Sequence, residues 1–228
     1  MGISSVLLDR PDASTKGARS LWYPAATIHK KRMKGHGEYN SRTGLPRGAI
    51  VHFTAGRGTP EDCISYGITQ GYNYMCIGRD GQVVQASPLN RWGSHAGRSS
   101  HKDFAGGVSD ELVGIEIISA GRLTKVGTNQ YKSWFGTYYG ANEVREITKP
   151  GPSQEPGFYH RFTPEQEESL DSLLLWLKRN DPTNFQIAYI LGHDEVSLSG
   201  KNDPGGALSM QMKEYRNHLR ALWSKEKG

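Results

Sequence analysis

The stretch GHDEVSLSGKNDPG, residues Gly192 to Gly205, puts a histidine, a lysine and an aspartate into one polar segment bounded by glycine. Two readings are open. A segment of this composition is, in most proteins, a solvated surface connection. Alternatively, His193 and Asp203 hold a metal and Lys201 stands beside it. His52, inside the apolar run IVHFTAG, supplies a further donor. Catalytic zinc takes three protein ligands of the His and carboxylate type and keeps one position for water. His52, His193 and Asp203 meet that count, but His52 and His193 stand far apart in the chain, and spacing alone does not say whether a fold joins them.

Both histidines sit where strands should end. GAIVHFTAG reads as a short buried strand closed by a glycine turn, and FQIAYILGH as a buried strand that delivers His193. In ELVGIEIIS, Ile115 and Ile117 share one face, so Glu116 must point to the other. YNYMCIGRDGQVVQAS is a hairpin with its turn at Arg79-Asp80-Gly81. Helix-start signals open two further segments: Thr59 then Pro60, and Thr163 then Pro164 with Gln166 completing a capping box. Leu170, Leu173, Leu174 and Leu177 recur at helical spacing and belong to the core. LSMQMKEYRNHLRALW predicts a C-terminal helix. Strands and helices alternate, which predicts an α/β fold with a mixed central β-sheet flanked by helices.

Residues 1–46 lack periodicity and read as an irregular N-terminal extension packed on a main domain spanning 47–228. Within that domain, residues 120–160 read as a long insertion. Its aromatics Tyr131, Trp134, Phe135, Tyr138 and Tyr139 argue that it is folded and lines a cleft.

With 228 residues, 36% hydrophobic and 22% charged, the chain suits one soluble globular domain, and no apolar run approaches the roughly 18 residues of a membrane span. The N-terminal apolar run is broken by Asp9, Arg10 and Pro11, too short for a secretory signal, and Val6 breaks the myristoylation pattern. The expectation is synthesis in a cytoplasm without a signal peptide. Cys63 and Cys76 are too few for a disulfide framework and read as reduced, Cys76 as a small buried hydrophobe. A net charge of +5 and a pI near 9.1 suggest an anionic partner: nucleic acid, an acidic membrane surface or an envelope polymer. The basic run HKKRMKGH reads as an exposed arm, and no nucleic-acid recognition motif accompanies it.

Read together, VHFTAG, GYNYMCIGRDGQVVQ, WGSHAG, VGIEI, FTPEQEESLDSLL and GHDEVSLSGKNDPG resemble, in order, the blocks of the zinc-dependent N-acetylmuramoyl-L-alanine amidases. That family includes phage amidase lysozymes, bacterial muropeptide amidases and peptidoglycan recognition proteins. The resemblance implies their fold, a zinc ion bound by His52, His193 and Asp203, and Lys201 as the cation that stabilises an oxyanion. It also implies Glu116 as general base, with Tyr72 matching the tyrosine of the phage branch, and His95 in the substrate cleft. Asn73 and Trp92 are expected to shape the groove, Trp92 being equally suited to the core. His29, His36, His101, His160 and His218 fall in no block and read as surface residues. The implied partner is peptidoglycan, with no nucleic acid and a monomeric state expected. The implied setting is a phage or prophage endolysin that acts on the wall after release. The alternatives are a muropeptide-recycling amidase in the cytoplasm and a peptidoglycan receptor without catalysis.

Overall fold

A computed structural model describes residues 21–227; the N-terminal run and the myristoylation pattern lie outside the described residues. Residues 21–46 are mostly irregular but tied down. Strand β1 (Thr27–Ile28) pairs in parallel with β4 (Val83–Gln85). The backbone N–H groups of His29, Met33 and His36 donate to the carbonyls of Gln85, Ala86 and Trp92. In the basic run, Met33 and His29 turn inward while Lys30, Lys31, Arg32 and Lys34 stay exposed.

Four further strands complete the central sheet: β2 (Gly48–Phe53), β3 (Tyr74–Ile77), β5 (Leu112–Ile117) and β11 (Ile190–Gly192). The order is β1-β4-β3-β5-β2-β11, parallel except for the β3–β4 hairpin, where Cys76 faces Val84. The period of two then sorts the side chains. Val51, Phe53, Ile115 and Ile117 meet Leu170, Leu173, Leu174 and Leu177 of α2 (Pro164–Asn180), with Tyr215 and Leu219 of α4 (Met212–Lys227) closing the same layer. Burying each such leucine contributes about 2 kcal/mol. The opposite face carries His52 and Glu116, which are register partners across β2 and β5. There Tyr74, Cys76 and Val84 pack on Ile64 of α1 (Pro60–Gln70), and Ile50 and Leu112 pack on Phe104 and Val108.

The helices begin where local capping dictates. Thr59 Oγ1 accepts the Asp62 N–H and the Asp62 carboxylate accepts the Thr59 N–H; Thr163 and Gln166 repeat the exchange at α2. Helix α1 ends at Gly71, whose φ of 74° suits glycine.

The stretch read as an insertion folds into a second, wholly antiparallel sheet, order β8-β7-β6-β10-β9. Its strands are β6 (Arg122–Gly127), β7 (Gln130–Lys132), β8 (Tyr138–Gly140), β9 (Val144–Ile147) and β10 (Gly157–His160). Leu123 and Tyr131 form a small core with Phe135, Tyr139, Val144 and Phe158 packed on it. This sheet braces the segment after Asp203. Arg145 of β9 donates to the carbonyls of Gly206, Ala207 and Leu208, and Gln154 Nε2 donates to the Gly205 carbonyl at 3.0 Å. Tyr159 is fully buried beneath Gly205 and Gly206; a Cβ on either glycine would come within 2.8 and 2.6 Å of its ring.

Two histidines expected at the surface are buried because backbone and side-chain groups satisfy their rings. His29 Nδ1 accepts the Lys31 N–H and its Nε2 meets Ser65 Oγ; His160 Nδ1 accepts the Ala120 N–H at 3.0 Å and its ring lies against Tyr139. Cys63 and Cys76 are free thiols, Cys76 fully buried. Among the described residues no helix is long and apolar enough to cross a membrane.

Candidate metal centre

His52 lies near the end of β2, on the face away from α2. His193 follows β11 directly, as the first residue of the one-turn helix α3 (His193–Val196) rather than as part of an open loop. That turn is held because the Glu195 carboxylate accepts the Gly192 N–H at 3.0 Å and pairs with Arg216 of α4. Asp203 comes from the braced segment, and its backbone carbonyl accepts the Asp194 N–H at 2.8 Å. All three side chains are buried. His52 Nδ1 and His193 Nδ1 are 3.1 Å apart, and Asp203 Oδ2 is 2.9 Å from each.

The partners of the other ring nitrogens decide where the hydrogens sit. His193 Nε2 is 3.0 Å from the Ala96 carbonyl, which can only accept, so that nitrogen carries the hydrogen. His95 Nε2 stands 2.9 Å from the Leu112 carbonyl and donates to it. Burial first, and the neighbouring His52 second, hold His95 down to about 3, so the ring is neutral and its Nδ1 is an acceptor. His52 Nε2, 3.1 Å away, donates to that nitrogen. Burial pushes His52 below the ordinary range as well, leaving its Nδ1 unprotonated. Burial would raise Asp203, and with both Nδ1 lone pairs facing its Oδ2 the ionised carboxylate calls for a cation between them.

Three lone-pair donors therefore converge with no hydrogen between them. Such a triangle is repulsive unless a cation occupies it. Bonds of 2.0–2.1 Å to a tetrahedral zinc set donors about 3.3 Å apart, close to the distances here. The residues fit zinc, and the ring hydrogens held by Ala96 and by His95 are the outer contacts that orient ligand histidines.

Glu116 stands beside His52 on β5, and among the described residues its Oε2 is buried without a hydrogen-bond partner. Burial first, then the nearby Cys63 and Asp203, pushes its carboxyl well above the ordinary range, against the pull of Lys201. Lys201 is exposed, its backbone N–H donating to Ser197 Oγ at 3.3 Å; its ammonium is near enough to depress His52. Tyr72 is 38% exposed and bridges to Ser94, beside the His95 segment.

The remaining expected site residues are engaged inside the protein. Asn73 is buried, donating to the Arg91 carbonyl at 2.7 Å and accepting from Ser87 Oγ. Trp92 is half-buried against the main core, its ring tilted against that of His36 at 4.6 Å. His95 has both ring nitrogens committed, to His52 and to Leu112. The carbonyls of Ala96 and Leu112 escape sequence reading altogether, because any residue type could supply them.

A family model described as N-acetylmuramoyl-L-alanine amidase matches residues 40–206. Among solved structures, a selenomethionine derivative of AmpD is 20% identical, with 88% of this chain and 96% of that chain covered and a TM-score of 0.51. The endolysin amidase LysCS from Clostridium intestinale is 18% identical, covering 90% and 99%, also at 0.51. AmpDh3 from Pseudomonas aeruginosa, solved with an anhydromuramic pentapeptide, is 16% identical, covering 77% of this chain and 60% of its own, again at 0.51. At these identities the likeness is one of fold. No curated protein sequence matches this chain.

Proposed function

The chain belongs to the N-acetylmuramoyl-L-alanine amidase family and is an amidase of peptidoglycan; from that premise we propose that it is zinc-dependent, with His52, His193 and Asp203 as the ligands. The observation that carries this reading is the convergence of three lone pairs within 3.1 Å, with both histidine hydrogens directed elsewhere. When bound, zinc supplies a Lewis acid that polarises the amide carbonyl and makes water nucleophilic near neutral pH.

The chain's own residues do the rest. Glu116, whose Oε2 has no partner to lose, takes the proton of the attacking water and returns it to the departing alanine amine. Its raised pKa makes it the stronger base for the first half of that task, and the carboxyl so protonated is the acid for the second. Lys201, solvated but close, places its charge against the developing oxyanion. Tyr72 is the alternative base should Glu116 prove dispensable. His95 acts through His52 rather than on substrate. The basic charge of +5 favours an endolysin setting, since it draws the protein to an anionic envelope.

The test is the identity of the products. Purified peptidoglycan should release intact stem peptides with a free N-terminal alanine, read by mass spectrometry. Sugar fragments or internally cut peptides would reject the assignment. His193→Ala should lose both the bound zinc and the products.

A further inference from the structure

Trp134 is the most exposed large apolar side chain among the described residues, at 79%, yet its indole Nε1–H donates to the Ala55 carbonyl at 2.6 Å. The turn that carries it is fixed. Ser133 N–H donates to the Thr137 carbonyl at 2.9 Å, Gly136 N–H to the Ser133 carbonyl at 3.0 Å, and Thr137 N–H to Ser133 Oγ at 3.0 Å. Next in the chain, Phe135 packs on the second sheet's core and meets the indole edge-on at 5.6 Å. The exposed ring is thus held at both ends: by its own turn, and by a loop of the other sheet.

That other loop belongs to the metal centre. Ala55 follows His52 by three residues, and at about 3.6 Å per residue its Cα lies within about 11 Å of the ligand's. Ala55 has φ 47°, a left-handed conformation that is strained for a non-glycine residue. Backbone strain of this kind gathers at functional sites. Here it belongs to the residue whose carbonyl holds Trp134.

The chemistry of the pinned ring limits its ligand. The only polar atom of the indole is already bonded to the protein, so a ligand meets the π face alone. The C–H side of a pyranose suits such a face, whereas the carboxylates of a stem peptide do not. A side chain already held in place also loses little freedom on binding. We propose that Trp134 is a platform for the glycan strand, on which a sugar ring of peptidoglycan stacks beyond the amide that is cut. The second sheet then holds the polymer while the first hydrolyses it. The assignment rests on the amidase reading for the position of the scissile bond.

Two measurements test it. Kinetics compare a muropeptide carrying several sugars with an N-acetylmuramoyl peptide carrying one. Trp134→Ala should raise KM on the longer substrate about tenfold, and by at least fivefold more than on the shorter one. Trp134→Phe, which keeps a flat face but loses the bond to Ala55, should fall between wild type and alanine. Equal losses on both substrates, or an unchanged KM on the longer one, would overturn the platform. Independently of cleavage, the Trp134 indole N–H resonance of Glu116→Gln protein is followed while a β-1,4-linked N-acetylglucosamine oligomer is added. A saturable shift supports stacking and its absence rejects it. If wild-type protein cuts no peptidoglycan the amidase reading fails, and this titration still decides the fate of Trp134.

Discussion

The two sheets are built on opposite economies of burial. The six-stranded sheet is covered on both faces, and it aims His52 and Glu116 into an interior where each ring hydrogen has an assigned acceptor. The five-stranded sheet buries a small core and leaves Trp134, Tyr138 and Val126 in solvent. Burial is what perturbs Glu116, His52 and His95, so reactive groups belong to the first sheet. Exposure is what a polymer needs to dock, so recognition falls to the second. The segment that runs on from Asp203 joins them: Asp203 is a ligand for one sheet, and the carbonyls of Gly206 and Ala207 just after it are clamped by Arg145 of the other.

The sharpest break between the two regions is Glu116→Gln. It should retain the fold and the zinc while lowering hydrolysis about a hundredfold to ten-thousandfold, the range for loss of a general base. Zinc content and turnover measured on one preparation check this; cleavage at the wild-type rate would pass the role to Tyr72.

Next in size is a pH effect confined to the second sheet. Burial first, with Arg79 adding to it, lowers His160 from 6.5 to about 4. Between those values the unfolded chain binds more protons than the folded one. Stability is therefore complete above about pH 6.5, falls as pH drops toward 4, and loses at most about 3 kcal/mol from this residue. Urea unfolding across that window, compared with His160→Gln at a fixed zinc concentration, should show a shallower slope in the variant. Identical slopes would mean that His160 is not held neutral by its surroundings.

How much of this was legible in the sequence depends on how local each cause is. The starts of α1 and α2 were, because Thr59 with Asp62 and Thr163 with Gln166 satisfy one another within one helical turn. The β3–β4 hairpin was legible for the same reason, its turn lying at Arg79-Asp80-Gly81. His52, His193 and Asp203 were brought together by the order of six short blocks; spacing left the question open, since only the parallel pairing of β11 with β2 makes the two histidines neighbours. The second sheet was not legible as strands. Its three- to six-residue pieces are half in solvent, which removes the apolar alternation a strand reading needs. The burial of His29 and His160 was hidden too, because the groups that satisfy them are mostly backbone atoms.

His95→Phe probes the outer contact of the first sheet. With no acceptor for the His52 N–H, the ring can take either tautomer, and zinc affinity should fall about ten- to a hundredfold. His95→Asn, whose side-chain oxygen stands in for the lost nitrogen, should recover part of it. Competition against a chromophoric chelator reads both; no change in either would remove His95 from the site. Arg145→Ala asks whether the second sheet reaches the metal at all. Freed from its clamp, the Asp203 segment should hold zinc about tenfold more weakly, a cost of about 1.4 kcal/mol. Unaltered affinity would confine that sheet to substrate.

The most direct test of the central claim is to strip the protein with a chelator and add zinc stepwise, following stem-peptide release from peptidoglycan in wild type and in Asp203→Ala. The three-ligand centre predicts that activity is absent in the stripped protein, rises to a plateau at one zinc per chain, and does not reach that plateau in Asp203→Ala. Full activity in the stripped protein, or equal restoration in the variant, would contradict it.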